Sequence, residues 1–193
     1  MAHLAVVVDG EEMDLRDRIA ALEEELRRTS DAWVDSADRV SEFVLLHAAV
    51  RQIHAARGRE ELLQALQEIV INVLGSEELV IFTREGDELR LARAFGVPEE
   101  PVRVLRLGEG PIGATTAAGV FRVAAWDGPF VGDPKLTACV PLVAGGEVEG
   151  AIAFWTMLGH KPELLDPDRE VMDMLSHHAG QAMRLLRLTG RIA

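Results

Sequence analysis

Few residues of this chain have the type and spacing that catalysis requires. Cys139 is the only cysteine among the 193 residues, which excludes an internal disulfide and any zinc site that needs two cysteines. It lies in an apolar segment without an adjacent basic residue, as is typical of a buried structural thiol. His177 and His178 are sequence neighbours and point about 100° apart on a helix, so they cannot bind one metal ion as an i, i+4 pair does. The sequence therefore predicts neither a metal site nor a catalytic nucleophile.

The glycines Gly108, Gly110 and Gly113 have the spacing of a dinucleotide-binding loop. The segments around them do not form a βαβ unit, and the neighbouring strands are predicted to be antiparallel, so a nucleotide loop is disfavoured. The net charge of −12 disfavours binding to nucleic acid or to an anionic membrane surface. Because no secretory leader and no span of about eighteen apolar residues is present, we expect a cytoplasmic protein. We also expect no bound cofactor.

Residues 11–56 contain neither proline nor glycine, and their apolar positions alternate in steps of four and three. This spacing is a repeat of 3.5 residues, which predicts a long helix that forms a coiled coil. A helix folded back on its own domain is the alternative. We call these positions the seam, and the residues predicted to form a dimer interface there are Leu15, Ile19, Leu22, Leu26, Trp33, Val40, Phe43, His47 and Val50.

Two histidines, His47 and His54, occupy consecutive a-type positions of the seam. In a parallel dimer each would face its own copy, and protonation near pH 6.5 would place like charges together. Alternatively, they are polar layers that fix the register of the helices.

A shorter helix over 59–74, ended by Gly75, precedes six predicted strands. The strands are 79–84, 88–95, 102–107, 120–125, 137–143 and 148–157, with a short helix at 111–118. A last helix follows an N-cap at Asp166 and runs to about Leu188, with Met174, His178 and Leu185 adding to the predicted interface. The prediction is an α+β domain with a six-stranded antiparallel sheet flanked by helices. Its boundaries are 1–10 for a tail, 11–56 for the long helix and 57–193 for the domain.

The order of these elements, together with two motifs, resembles the GAF domain family. The motifs are Leu105-Arg106-Leu107-Gly108-Glu109-Gly110-Pro111-Ile112-Gly113, and Cys139-Val140-Pro141-Leu142 followed by Gly145-Gly146 and Gly150-Ala151-Ile152. The resemblance covers roughly 47–187. It implies a ligand cavity between the sheet and the segment that joins the third strand to the fifth.

Carried over to this sequence, the resemblance implies the ligand-binding residues Arg106, Thr115, Thr116, Phe121, Trp126, Asp127, Phe130 and Cys139. Arg106 would bind a carboxylate or phosphate, and the threonines would donate hydrogen bonds. Alternatively, the aromatic residues fill the space and the threonines bond to local backbone. GAF relatives that reduce methionine sulfoxide use several cysteines, bilin-binding relatives use another cysteine motif, and only fragments of the cyclic-nucleotide pattern occur here.

The sequence thus predicts a non-enzymatic, dimeric GAF-type module. It would sense a small polar or anionic molecule, relay a signal to a separate signalling protein, or do both. The alternative is a scaffold without a ligand that acts through its coiled coil. An enzyme that uses Cys139 or a histidine is disfavoured, because no second cysteine and no nucleophile–base motif is present.

Overall fold

A long helix, α1 (Ala2–Ala55), precedes the sheet domain in the computed structural model. The structure describes the backbone of residues 2–190 and the side chains of residues 18, 19, 21–31, 33 and 43–190. The chain divides into two compact units, Met1–Val44 and Leu45–Ala193. Residues 2–10, predicted as a tail, lie in α1. The single Gly10 costs a helix only about 1 kcal/mol relative to alanine, which is too little to end one of this length.

The second unit contains one six-stranded sheet in which every pair of neighbouring strands is antiparallel. The spatial order is β3-β2-β1-β6-β5-β4. The strands are β1 (Leu79–Glu85), β2 (Glu88–Phe95), β3 (Val104–Arg106), β4 (Arg122–Val123), β5 (Ala138–Ala144) and β6 (Glu147–Phe154). The predicted α+β class with a six-stranded antiparallel sheet is confirmed.

Helices lie on both faces of this sheet. They are α2 (Arg59–Ile69), which continues in a π-helical turn (Val70–Leu74), α3 (Gly110–Ala118), the single turn α4 (Ala124–Asp127), α5 (Asp168–Met174), a second π-helical turn (Leu175–Ala179) and α6 (Gly180–Leu188). A 3₁₀ turn spans Glu100–Val102.

The predicted strand at 120–125 is wrong at both ends, because only Arg122 and Val123 pair with β5. The carboxylate of Asp127 accepts a hydrogen bond from the Val123 N–H at 2.9 Å and starts α4 instead. Two other strands are also shorter than predicted: the 3₁₀ turn occupies the start of 102–107, and β6 ends at Phe154.

The sheet has a separate apolar core on each face. The helix-face core includes Ile53, Leu66, Ile81, Ile152 and Leu175. The α3-face core includes Phe82, Ile112, Phe130, Leu136 and Cys139. Because Ala49 and Ile53 are buried in the helix-face core, the compact unit begins at Leu45 and not at the predicted residue 57.

A polar contact fixes the start of the last helix. Asp168 is buried, accepts a hydrogen bond from the Leu165 N–H at 2.8 Å, and forms an ion pair with Lys161 at 2.6 Å. Lys161 Nζ also donates to the Val73 carbonyl at 2.8 Å. The N-cap predicted at Asp166 is therefore wrong: Asp166 is exposed, whereas the carboxylate of Asp168 bonds back to the preceding loop.

Candidate functional site

The threonines of α3, predicted to bind a ligand, bond to their own helix. The Thr115 hydroxyl donates to the Pro111 carbonyl at 2.8 Å, and the Thr116 hydroxyl donates to the Ile112 carbonyl at 2.7 Å. Both side chains are buried. Their donors are already used, which agrees with the alternative that these hydroxyls satisfy local backbone.

Phe130 and Cys139 lie inside the α3-face core, where they contribute to an apolar layer under α3. The Cys139 thiol is 3.8 Å from the Ile112 carbonyl and 3.9 Å from the Thr116 hydroxyl. Burial raises the pKa of this thiol to about 12, and the hydrogen bond with Thr116 opposes that rise only in part. The thiolate that nucleophilic chemistry needs is therefore strongly disfavoured at Cys139.

Arg106 does not point into this layer. Its side chain is exposed on the edge strand β3, and its guanidinium lies 3.7 Å from the Glu109 carboxylate. Arg103 is likewise exposed and lies 3.5 Å from Glu100. The three-residue edge strand leaves the Arg106 side chain in solvent, and its role as an anion ligand stays a prediction.

The remaining predicted ligand residues are separated from Phe130 and Cys139. Phe121 and Trp126 pack against the helix-face core, and the guanidinium of Arg169 covers the Trp126 ring at 3.8 Å from its centroid. Asp127 is exposed and serves as the helix-start acceptor described above. The eight residues thus do not form one cavity.

An open groove of about 780 Å³ lies beside the last turns of α1 and helix α5. Apolar side chains from Leu46, Val50, Phe121 and Met174 line it together with Arg169, Glu170, Asp173, His177 and His178. Sequence reasoning missed this groove, although the seam positions of α1 and the predicted interface positions of the last helix both contribute to it.

Next to the groove, His54 Nε2 lies 2.9 Å from His178 Nδ1, and the rings meet edge to face. Burial lowers the pKa of His178, and the charges of His54 and His177 lower it further. The contact is a hydrogen bond only while at least one ring is neutral. His54 thus bonds within its own chain, an arrangement that the coiled-coil prediction did not include.

An ion pair between the buried Glu149 and the exposed Arg187 links the sheet to α6. The register of β5 against β6 shifts between Leu142 and Val143, so β6 carries an extra residue at Glu149. A bulge of this kind redirects a side chain. Arg187 holds the buried Glu149 carboxylate through two hydrogen bonds of 3.0 and 2.9 Å. The sequence signal for this pair was an acidic residue, Glu149, next to the apolar run of β6.

The predicted dimer residues differ in exposure. Ile19, Leu22, Leu26, Trp33 and Phe43 are exposed, with values of 50%, 63%, 72%, 72% and 68%. His47 and Leu185 are also exposed, and Val50 and His178 are half-buried. Met174 is buried in the helix-face core and offers little surface to a second chain. The side chains of Leu15 and Val40 lie outside the described residues.

The described residues show neither a metal site nor a membrane-spanning helix. Within them, no group of three or more potential ligands is arranged to hold a metal ion. Nor does any helix in that part of the chain have the length and apolar character needed to cross a membrane.

Comparison with solved structures identifies the fold as GAF-like. The GAF domain of a phosphoenolpyruvate-protein phosphotransferase from Coxiella burnetii is 16% identical, with a TM-score of 0.62 over 77% of this chain and 96% of that one. The corresponding Acinetobacter domain is 15% identical, with a TM-score of 0.64 over 79% and 98%.

The same fold also occurs in enzymes. The reduced free methionine-R-sulfoxide reductase of Staphylococcus aureus is 17% identical, with a TM-score of 0.59 over 74% of this chain and 94% of that one. No protein-family model and no curated protein matches the sequence. At these identities the comparisons establish the fold alone.

Proposed function

We propose that this chain is a non-enzymatic regulatory GAF-type module that forms a homodimer through α1 and passes a signal to a separate partner protein. The observation that carries the proposal is the seam. Ile19, Leu22 and Leu26 repeat at the coiled-coil spacing and are all at least half exposed in the single chain. Large apolar side chains in such a stripe favour burial against another helix, and a second copy of α1 offers the same stripe.

The absence of an enzymatic role is supported by the state of Cys139. Free methionine-R-sulfoxide reductases share the fold, yet a thiol with a pKa of about 12 is a poor nucleophile near neutral pH. The threonine hydroxyls near it are already bonded to backbone carbonyls.

The second candidate function is a scaffold that binds no small molecule and works through its coiled coil. Phe82, Phe130 and Leu136, which are buried in the α3-face core, favour it, because they fill much of the layer that the family resemblance assigns to a ligand.

Sedimentation analysis of an Ile19→Asp/Leu26→Asp variant tests the dimer. Burying a leucine or isoleucine contributes roughly 1.5 to 3 kcal/mol per side chain, and each dimer would lose four of them. We expect a dimer for the unmutated chain and a monomer for the variant. Ala21→Asp/Arg28→Asp, placed away from the seam, is the matched control and should remain dimeric. A monomeric unmutated chain at micromolar concentration would contradict the proposal.

A further inference from the structure

A second, smaller cavity of about 220 Å³ lies at the edge of the domain away from α3. We call it the arginine cavity. Its walls come from β1, β6, the start of α2 and the end of α6, and the polar residues that line it are Arg59, Thr83, Arg84, Glu85, Glu149 and Arg187. It is distinct from the layer under α3, because Thr83 lies on the sheet face that carries the helix-face core.

Both carboxylates that line the arginine cavity are already neutralised. Arg187 holds Glu149 through two hydrogen bonds, and the Arg184 guanidinium adds a second cationic group at 3.9 Å. Glu85 forms an ion pair with Arg90 at 2.7 Å. Neither glutamate is therefore left to balance a further positive charge.

Two arginines in the same wall lack a carboxylate partner. Arg84 donates to the carbonyls of Gly86 at 2.8 Å and Val148 at 3.3 Å, and no acidic group in the described residues pairs with it. The Arg59 side chain forms neither an ion pair nor a hydrogen bond with any residue whose side chain the structure describes. Both are half-buried. In a chain with a net charge of −12, these are uncompensated positive charges at the wall of a cavity.

The third observation is the Thr83 hydroxyl. Thr83 is more than nine-tenths buried, and its oxygen is the one buried side-chain polar atom in the described part of the chain without a hydrogen-bond partner. Such atoms are rare in folded proteins, and each calls for a partner that the chain itself does not supply. Thr83 lines the same cavity as the two arginines, and its unpaired hydroxyl lies just beneath the surface of that wall.

We propose that the arginine cavity binds a small oxyanion, a carboxylate or a phosphate group. Arg59 and Arg84 supply charge-assisted hydrogen bonds, and the Thr83 hydroxyl donates another after its side chain rotates toward the cavity. Arginine suits both anions because its planar guanidinium matches their oxygens. The volume of about 220 Å³ is below the range of about 300 to 1,000 Å³ for drug-sized ligands, so the ligand is a small molecule.

The location gives this binding a consequence for the rest of the domain. Arg59 begins α2, Thr83 lies on β1, and Arg187 near the end of α6 borders the same space. An anion held there adds contacts between two helices and the sheet. The inference deepens the sensing role proposed above and rests on it, although it does not depend on dimer formation.

Isothermal titration with inorganic phosphate and, separately, with malonate tests the assignment at constant ionic strength. The variants are Arg59→Gln and Thr83→Val, with the exposed Arg103→Gln as the matched arginine control. We expect saturable binding of at least one probe, a roughly ten- to hundredfold loss of affinity in Arg59→Gln, and a smaller loss in Thr83→Val. Arg103→Gln should bind as the unmutated chain does. Phosphate binding without malonate binding would identify a phosphate ligand, and the reverse a carboxylate.

Thr83→Val also separates binding from folding. Because the hydroxyl has no partner in the free chain, removing it should leave the midpoint of thermal unfolding unchanged or raise it. The same substitution should lower the affinity for the probe anion. Three results would overturn the site: no binding of either probe, an affinity of Arg59→Gln equal to that of the unmutated chain, or a rise in thermal midpoint with the probe that sodium chloride reproduces. Repeating the titration on Ile19→Asp/Leu26→Asp keeps the two proposals apart: retained binding in a monomer supports the cavity whatever the fate of the dimer.

Discussion

Cys139 should react very slowly with thiol reagents while the protein is folded. At pH 8, a thiol with a pKa of about 12 is about 10⁻⁴ ionised, whereas one at the ordinary value of 9.0 is about 10⁻¹ ionised. Because the thiolate is the reactive form, ionisation alone slows labelling by roughly a thousandfold. The same burial keeps the reagent away from the closed state, so the labelling that does occur proceeds through local opening.

The assay is absorbance-monitored labelling with a disulfide reagent at pH 8, in buffer and in denaturant. Cys139 is the only thiol, so Cys139→Ala gives the zero-labelling baseline without further mutations. We expect fast labelling in denaturant and a rate at least a thousandfold lower in buffer. Native labelling near the denatured rate, with the circular dichroism of the folded protein retained, would refute the reasoning and reopen a thiol enzyme as a function.

Two further predictions concern stability. Lys161→Met should lower the free energy of unfolding by about 3 to 5 kcal/mol in urea titrations, because it leaves the buried Asp168 carboxylate without its cation. Asp166→Asn, at an exposed neighbouring position, should change the free energy of unfolding little. Equal effects of the two substitutions would contradict the assignment. The pKa of His178 is lowered in the folded chain by burial and by His54 and His177, so the unfolded chain takes up the proton first and stability should fall as pH drops below 6.5 through the lowered folded value. His178→Gln should show a weaker dependence in urea midpoints measured between pH 7.5 and 5, and identical slopes would count against it.

Much of the fold could be predicted from the sequence because local signals settle it. Gly75 ends the second helix in a left-handed conformation with φ 80°, as its position after a run of apolar residues indicated. The Glu85-Gly86-Asp87 turn joins two strands whose bounds match the prediction closely. These features depend on a few neighbouring residues, and the sequence contains all of them.

The site could be predicted less well because it depends on contacts between distant positions. His54 and His178 are 124 residues apart and meet through the packing of two helices. The extra residue at Glu149 exists only in the register of β6 against β5, and alternation along a strand cannot reveal it. The exposure of Arg106 likewise follows from its place on a three-residue edge strand, which the longer predicted strand obscured.

The π-helical turn at Leu175–Ala179 divides the last helix into α5 and α6, and the side chains of α6 are rotated relative to those of α5. An α-helix advances about 100° and 1.5 Å per residue, and a π turn inserts one residue into that progression. The side chains of α6, including the exposed Leu185 and Leu188, therefore point about 100° away from where an uninterrupted α5 would place them. Deleting one residue of the turn would rotate the end of the chain by that angle about its own axis, while α5 keeps its place against the sheet.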